Sequence, residues 1–112
     1  MRLQNSIKMA VSVGILAMAA APLAAGDLSA GKTKAQAVCQ TCHGMDGQAT
    51  LVNTANLSGQ QKEYLVAQLK AFRSGKRHHE QMSIIAKMLS DTDIDNVAEW
   101  YSSIKVTVEM PD

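Results

Sequence analysis

The stretch Val38-Cys39-Gln40-Thr41-Cys42-His43-Gly44-Met45-Asp46-Gly47 holds both cysteines of a 112-residue chain, three positions apart, with a histidine directly after the second. Two thiols and an imidazole this close, with no other cysteine to pair with, admit few uses. A redox-active Cys-x-x-Cys opens a helix after a strand, within a βαβ unit. Here the pair falls toward the end of a helical pattern, and no strand precedes it. A structural disulfide would close a very small loop and restrict the unfolded chain little. Zinc takes four ligands, usually as two close pairs, and the only imidazoles besides His43 are His78 and His79.

Covalent haem is the remaining use, and it has a chemical reason for the spacing. Residues three apart on a helical turn face the same way. Cys39 and Cys42 can therefore each form a thioether to one vinyl group of a single haem, and His43 presents an imidazole nitrogen to the iron. One covalent haem c is the expected cofactor.

The segment before the motif carries a different message. It begins with the cations Arg2 and Lys8, continues as an apolar run from Met9 to about Ala21, and ends in small residues suited to cleavage near Ala25 or Gly26. That order is the signature of a secretory signal peptide over residues 1–25. Ser12, Gly14 and Pro22 interrupt the run, whereas a spanning helix wants about 20 predominantly apolar residues. An exported domain over 26–112 is expected. Without Arg2 and Lys8 it carries 9 basic against 10 acidic residues, a balance that gives nucleic-acid binding no support. A domain of this size buries a limited fraction of its surface and often needs a staple. Its aromatic residues concentrate around Trp100 and Tyr101, so the chain looks short of core material. An apolar macrocycle fixed by two covalent bonds supplies both centre and staple.

The rest reads as helix nearly throughout. Ser29 is positioned to cap a first helix through AGKTKAQAVCQTC. The Gly-, Asn-, Thr- and Ser-rich segment from Gly44 to Gly59 reads as a loop. A second helix puts Leu65, Leu69 and Phe72 on one stripe and ends at Gly75. SGKRHHEQ reads as a polar link, and MSIIAKML as a short helix with Ile84, Ile85 and Met88 on one face. Ser90 and Asp93 resemble a capping box for a last helix, whose buried stripe is Ile94, Val97, Ala98 and Tyr101. The tail VTVEMPD has an extended pattern with nothing obvious to pair with. The expected fold class is all-α, with about four helices around one haem.

From Leu28 to about Ile104 the sequence resembles the small bacterial class I c-type cytochromes, of which single-haem domains also occur in tandem. The likeness is carried by VCQTCHGMDG, NLSGQQKEYLVAQLKAFRSGKR, MSIIAKMLSD and DIDNVAEWYSSI, in the family's order. It implies that Gly31 lets the first helix cross closely over the last, near Val97 and Trp100. It also implies iron held by His43 on one side and a methionine sulfur on the other. In the family that methionine precedes a short apolar helix and an LSD turn, which matches Met82. Met45 is too near His43 to reach the opposite face, Met110 lies in the tail, and Met88 continues the stripe of Ile84 and Ile85 as packing. Two prolines common in the family are absent, at Ala55 and Ile84; the carbonyl at the first position serves the proximal histidine's N–H. His78 and His79 are expected in the polar surface link with Arg77 and Glu80, with a bis-histidine iron as the alternative.

With both axial positions filled, the expected function is one-electron transfer in the periplasm, between redox partner proteins, by a protein that is not an enzyme. The alternatives are a cytochrome subunit of a larger dehydrogenase, or a gas-binding or peroxide-reducing haem protein. Charge is uneven along the chain. Lys62, Lys70, Arg73, Lys76, Arg77 and Lys87 dominate residues 60–89, while acids dominate from Ser90 onward. That asymmetry could steer partners or merely solvate helix faces.

Overall fold

Five helical segments follow one another in the computed structural model: α1 (Leu28–Val38), α2 (Gln40–His43), α3 (Lys62–Ser74), α4 (Glu80–Lys87) and α5 (Asp91–Ser103). The structure describes residues 25–112 together with Ala10, Ser12 and Gly14, so the expected signal peptide lies almost wholly outside the described residues. Among them there is no strand, as the all-α expectation has it, and the tail after Ile104 has no regular structure.

Local chemistry sets most helix ends. Asp27, rather than Ser29, caps α1: its carboxylate accepts from the Ala30 amide at 2.9 Å, while its own N–H donates to the Asn96 side chain at 2.8 Å. That second bond ties the start of α1 to α5, which no local pattern around Ser29 encodes. Gly75 ends α3 with φ 83°, a left-handed cap that costs glycine little. Ser90 and Asp93 form the expected capping box, at 3.0 and 3.1 Å. The polar link is shorter than expected, because His79 caps α4 and Glu80 and Gln81 already belong to that helix.

α1 packs across α5, and α3 packs against both α4 and α5. A Cβ on Gly31 would run into the backbone carbonyl of Asn96 and the side chain of Trp100, so the crossing requires glycine there, as the resemblance implied. Ala35, Leu65, Ala98 and Tyr101 form one buried cluster, and Phe72, Leu89, Ile94 and Val97 extend the core. The stripe of α4 turns out differently. Ile84 and Met88 are 63% and 58% exposed, and the helix buries Ala86 instead. The short helix is rotated so that Ala86 meets the interior, Ile85 is half-buried and Ile84 stays exposed. Met88, expected as packing, lies beyond the helix at its C-cap.

Candidate functional site

The first helix does not run unbroken through the cysteine motif. It bends at Cys39 (φ −113°, ψ −35°), where α1 ends and the single turn of α2 begins. The Cys39 amide still bonds back to Ala35 at 2.9 Å, and the His43 amide to Cys39 at 3.0 Å. The motif is thus a helical turn hinged on Cys39, and it presents Cys42 and His43 toward a cleft. Both sulfurs are free thiols and half-buried. Cys39 packs on the Ala35–Tyr101 cluster rather than lining the cleft. Burial, reinforced by neighbouring Cys42 and opposed by Lys34, pushes the Cys39 thiol up to about 11. At neutral pH it is protonated, so it is not an activated nucleophile.

Two aromatic side chains of α5 hold the motif's exit loop. Tyr101 donates its hydroxyl to the Gly44 carbonyl at 2.9 Å, and the Trp100 indole N–H donates to the Met45 carbonyl at 3.0 Å. Both bonds join residues more than fifty positions apart, so a motif-centred reading of the sequence misses them. Only the concentration of aromatics at Trp100 and Tyr101 hinted that this segment mattered. The loop from Gly44 to Gly59 is tightly bonded: Thr50 closes on the carbonyls of Thr41 and Cys42, and Leu57 on that of Gly47. Gly47 has φ 75° and lies so near the Ser58 backbone that no side chain would fit.

The purpose of that rigidity is visible at Ala55. Its carbonyl oxygen lies 2.7 Å from His43 Nδ1. A carbonyl can only accept, so the proton sits on Nδ1 and the lone pair stays on Nε2. This fixes the ring's orientation and leaves the second nitrogen as a ligand atom. The alanine standing where proline is common keeps the carbonyl in place.

The cleft itself measures about 590 Å³ and is walled by Leu51, Val52, Leu57, Leu65, Leu69 and Phe72, with His43, Cys42 and Met82 on it. That is within the usual range for a cofactor site, apolar with few polar groups. Met82 sits in the first turn of α4, where its amide donates to His79 Nδ1 at 3.3 Å. His79, expected in the polar surface link, is exposed there and also caps the element that carries Met82, lining the same cleft. His78 does not line it. The residues present suit haem: an imidazole nitrogen and a thioether sulfur at one apolar cleft, with thiols on the adjoining turn. Among the described residues no cluster of three or more His, Cys, Asp or Glu side chains is arranged to hold a bare metal ion.

Folding pairs part of the uneven charge and leaves Lys70, Lys76, Arg77 and Lys87 outside the ion pairs of the described residues. Lys62 bridges Asp95 at 3.2 Å and Glu99 at 2.8 Å, Lys34 bridges Asp93 at 3.2 Å, and Arg73 pairs with Asp91. The acids of α5 meet the cations of α1 and α3 instead of facing solvent as a block.

Residues 26–100 match the family described as Cytochrome C oxidase, cbb3-type, subunit III. The chain is 42% identical over 89 residues to cytochrome c4 of Pseudomonas aeruginosa, an alignment covering 80% of this chain and 44% of the relative. It is 42% identical over 82 residues to cytochrome c-554(548) of Halomonas halodenitrificans, covering 70% of this chain and 98% of the relative. The crystal structure of reduced recombinant cytochrome c4 from Pseudomonas stutzeri superposes with a TM-score of 0.68 at 36% identity, covering 79% of this chain and 50% of that one. The chain thus spans about half the length of the cytochrome c4 relatives it matches.

Proposed function

Because the chain belongs to this family of class I c-type cytochromes, whose cofactor is covalently bound haem c, we propose that it is a periplasmic carrier of single electrons. In this reading residues 1–25 are the signal peptide and 26–112 the cytochrome domain. Cys39 and Cys42 would hold the haem through thioethers, with no oxidant needed because a thioether forms by addition of S–H to a vinyl group. His43, through Nε2, and Met82, through sulfur, would hold the iron. When bound, the haem supplies a reversible ferrous–ferric couple, and His/Met ligation favours a raised potential.

The chain's own part is positioning. Ala55 holds the His43 ring in one tautomer, Tyr101 and Trp100 hold the loop that follows it, and the apolar walls exclude water. With the iron held by both His43 and Met82, no site would be left for substrate, and electron transfer would require no catalytic acid or base. The supporting observation is that His43 and Met82, 39 positions apart, come to a single apolar cleft beside the Cys42 turn. No helix among the described residues is long and apolar enough to cross a membrane. The donor and acceptor are redox proteins.

The test is spectroscopic. Protein expressed with export should gain the mass of one haem and give the pyridine haemochrome of two thioether bonds. Its oxidised form should show the weak near-infrared sulfur-to-iron band. That band should be lost in Met82→Ala and kept in His78→Ala, and carbon monoxide should bind the reduced wild type poorly. A polypeptide-only mass with no Soret absorption would remove the reading.

A further inference from the structure

Two side-chain bonds bracket Met82 in the first turn of α4. The Met82 N–H donates to His79 Nδ1 at 3.3 Å. The His79 N–H in turn donates to Ser83 Oγ at 3.1 Å, and the Ser83 N–H donates to the His79 carbonyl at 2.9 Å. Little else secures this turn. α4 is eight residues long, and its buried residue, Ala86, lies near the other end. Glu80 and Gln81 are exposed, and Met82 and Ser83 only half-buried. A helix that short is marginal by itself, and its first amides have no partner inside the helix. A backbone N–H can only donate, so His79 Nδ1 accepts here and the ring proton lies on Nε2. In that tautomer the ring's lone pair is committed to the turn, and His79 has no second one to offer a metal.

We infer that His79, with Ser83 closing the turn, is the positioning residue for Met82, and that this clamp sets how readily the sulfur is displaced from iron. The inference rests on the assignment of Met82 as a ligand above. The physical link is reciprocal coupling. The cap bond forms only when the turn is wound, and the wound turn is the one in which Met82 lines the cleft together with His43. Loss of the cap therefore raises the population in which the sulfur is withdrawn. A side-chain N-cap shifts such an equilibrium about three- to tenfold. An asparagine oxygen at the same position can accept the same amide proton, whereas alanine cannot.

The experiment titrates oxidised holoprotein with imidazole, which competes with the methionine sulfur for iron, and follows loss of the near-infrared band. Wild type, His79→Ala, His79→Asn, Ser83→Ala and Ser90→Ala are compared, with haem content and urea midpoint recorded for each. His79→Ala is expected to bind imidazole about three- to tenfold more tightly, and His79→Asn within about twofold of the wild type. Ser83→Ala should shift the affinity in the same direction as His79→Ala, and it decides alone if His79→Ala yields no haem protein. Ser90→Ala removes the cap of α5, away from the cleft. It should lower the urea midpoint while imidazole affinity stays within about twofold of the wild type. An unchanged affinity in His79→Ala or Ser83→Ala, an equal rise in His79→Asn, or an equal rise in Ser90→Ala overturns the clamp while leaving the haem assignment standing. A wild type with haem but no near-infrared band removes Met82 as ligand and the clamp with it, and a wild type without haem removes the whole reading.

Discussion

His43 illustrates how much one backbone atom can decide. Its Nδ1 meets the Ala55 carbonyl, and that single contact selects the tautomer whose free nitrogen is Nε2. The same logic applies to Tyr101, almost fully buried, whose hydroxyl has the Gly44 carbonyl as its partner. Burial, followed by the influence of Cys39 and Asp46, raises its pKa, so it remains a neutral donor across the physiological range. Tyr101→Phe leaves the Gly44 carbonyl without that donor, and a buried acceptor left unpaired costs about 1–3 kcal/mol. The urea midpoint should fall accordingly. Because Gly44 follows His43 directly, the absorption spectrum of the variant should also become more sensitive to mild denaturant than that of the wild type.

At the scale of elements, the crossing of α1 over α5 is the most demanding contact. Alanine is ordinarily better than glycine inside a helix by about 0.5–1 kcal/mol. At Gly31 the added carbon meets the backbone of Asn96, which cannot rotate away as a side chain would. Overpacking of that kind costs about 1–3 kcal/mol, so the steric term wins and Gly31→Ala should lower the thermal midpoint. α5 is also anchored at its start. The Ser90 backbone N–H, chiefly, depresses the Asp93 carboxyl below its ordinary value of 3.8, with Lys34 adding and burial opposing. A depressed folded pKa contributes stability above the unfolded value and loses it as pH falls through the folded one. Urea midpoints should therefore hold from neutrality down to about pH 4 and fall below it. Asp93→Asn should start less stable and lose less on acidification.

At the scale of the whole molecule, the cleft divides the domain into two unequal parts. The α1–α5 pair with α3 makes a conventional interior around Ala35, Leu65, Ala98 and Tyr101. Leu51, Leu57, Leu69 and Phe72 form the apolar walls of the cleft. A domain this small has little stability to spare. The double variant Cys39→Ala with Cys42→Ala, unable to hold haem covalently, should keep helical far-ultraviolet circular dichroism. It should lose near-ultraviolet signal and bind a hydrophobic dye, the signs of fluctuating packing. Full native near-ultraviolet signal in that variant would mean that the apolar walls close on themselves and that the haem is not the centre of the core.

What the sequence determined by itself was whatever depends on residues near one another. The three-residue cysteine spacing, the adjoining His43, the Ser90–Asp93 cap and the Gly75 stop are local, because covalent geometry and a single helical turn bring their atoms together. The resemblance added Gly31 and the carbonyl at Ala55, whose contacts with Asn96 and His43 are not local. Only the tertiary structure decided that Asp27 rather than Ser29 starts α1, since that choice hangs on a bond to Asn96 at the far end of the chain. It also decided that Ala86 and not Ile84 or Met88 turns inward, that His79 caps the turn bearing Met82, and that cations of α1 and α3 pair with the acids of α5. Each of these depends on the angle at which one packed helix meets another, a quantity that emerges from the summed burial of all of them and is written in no single stretch.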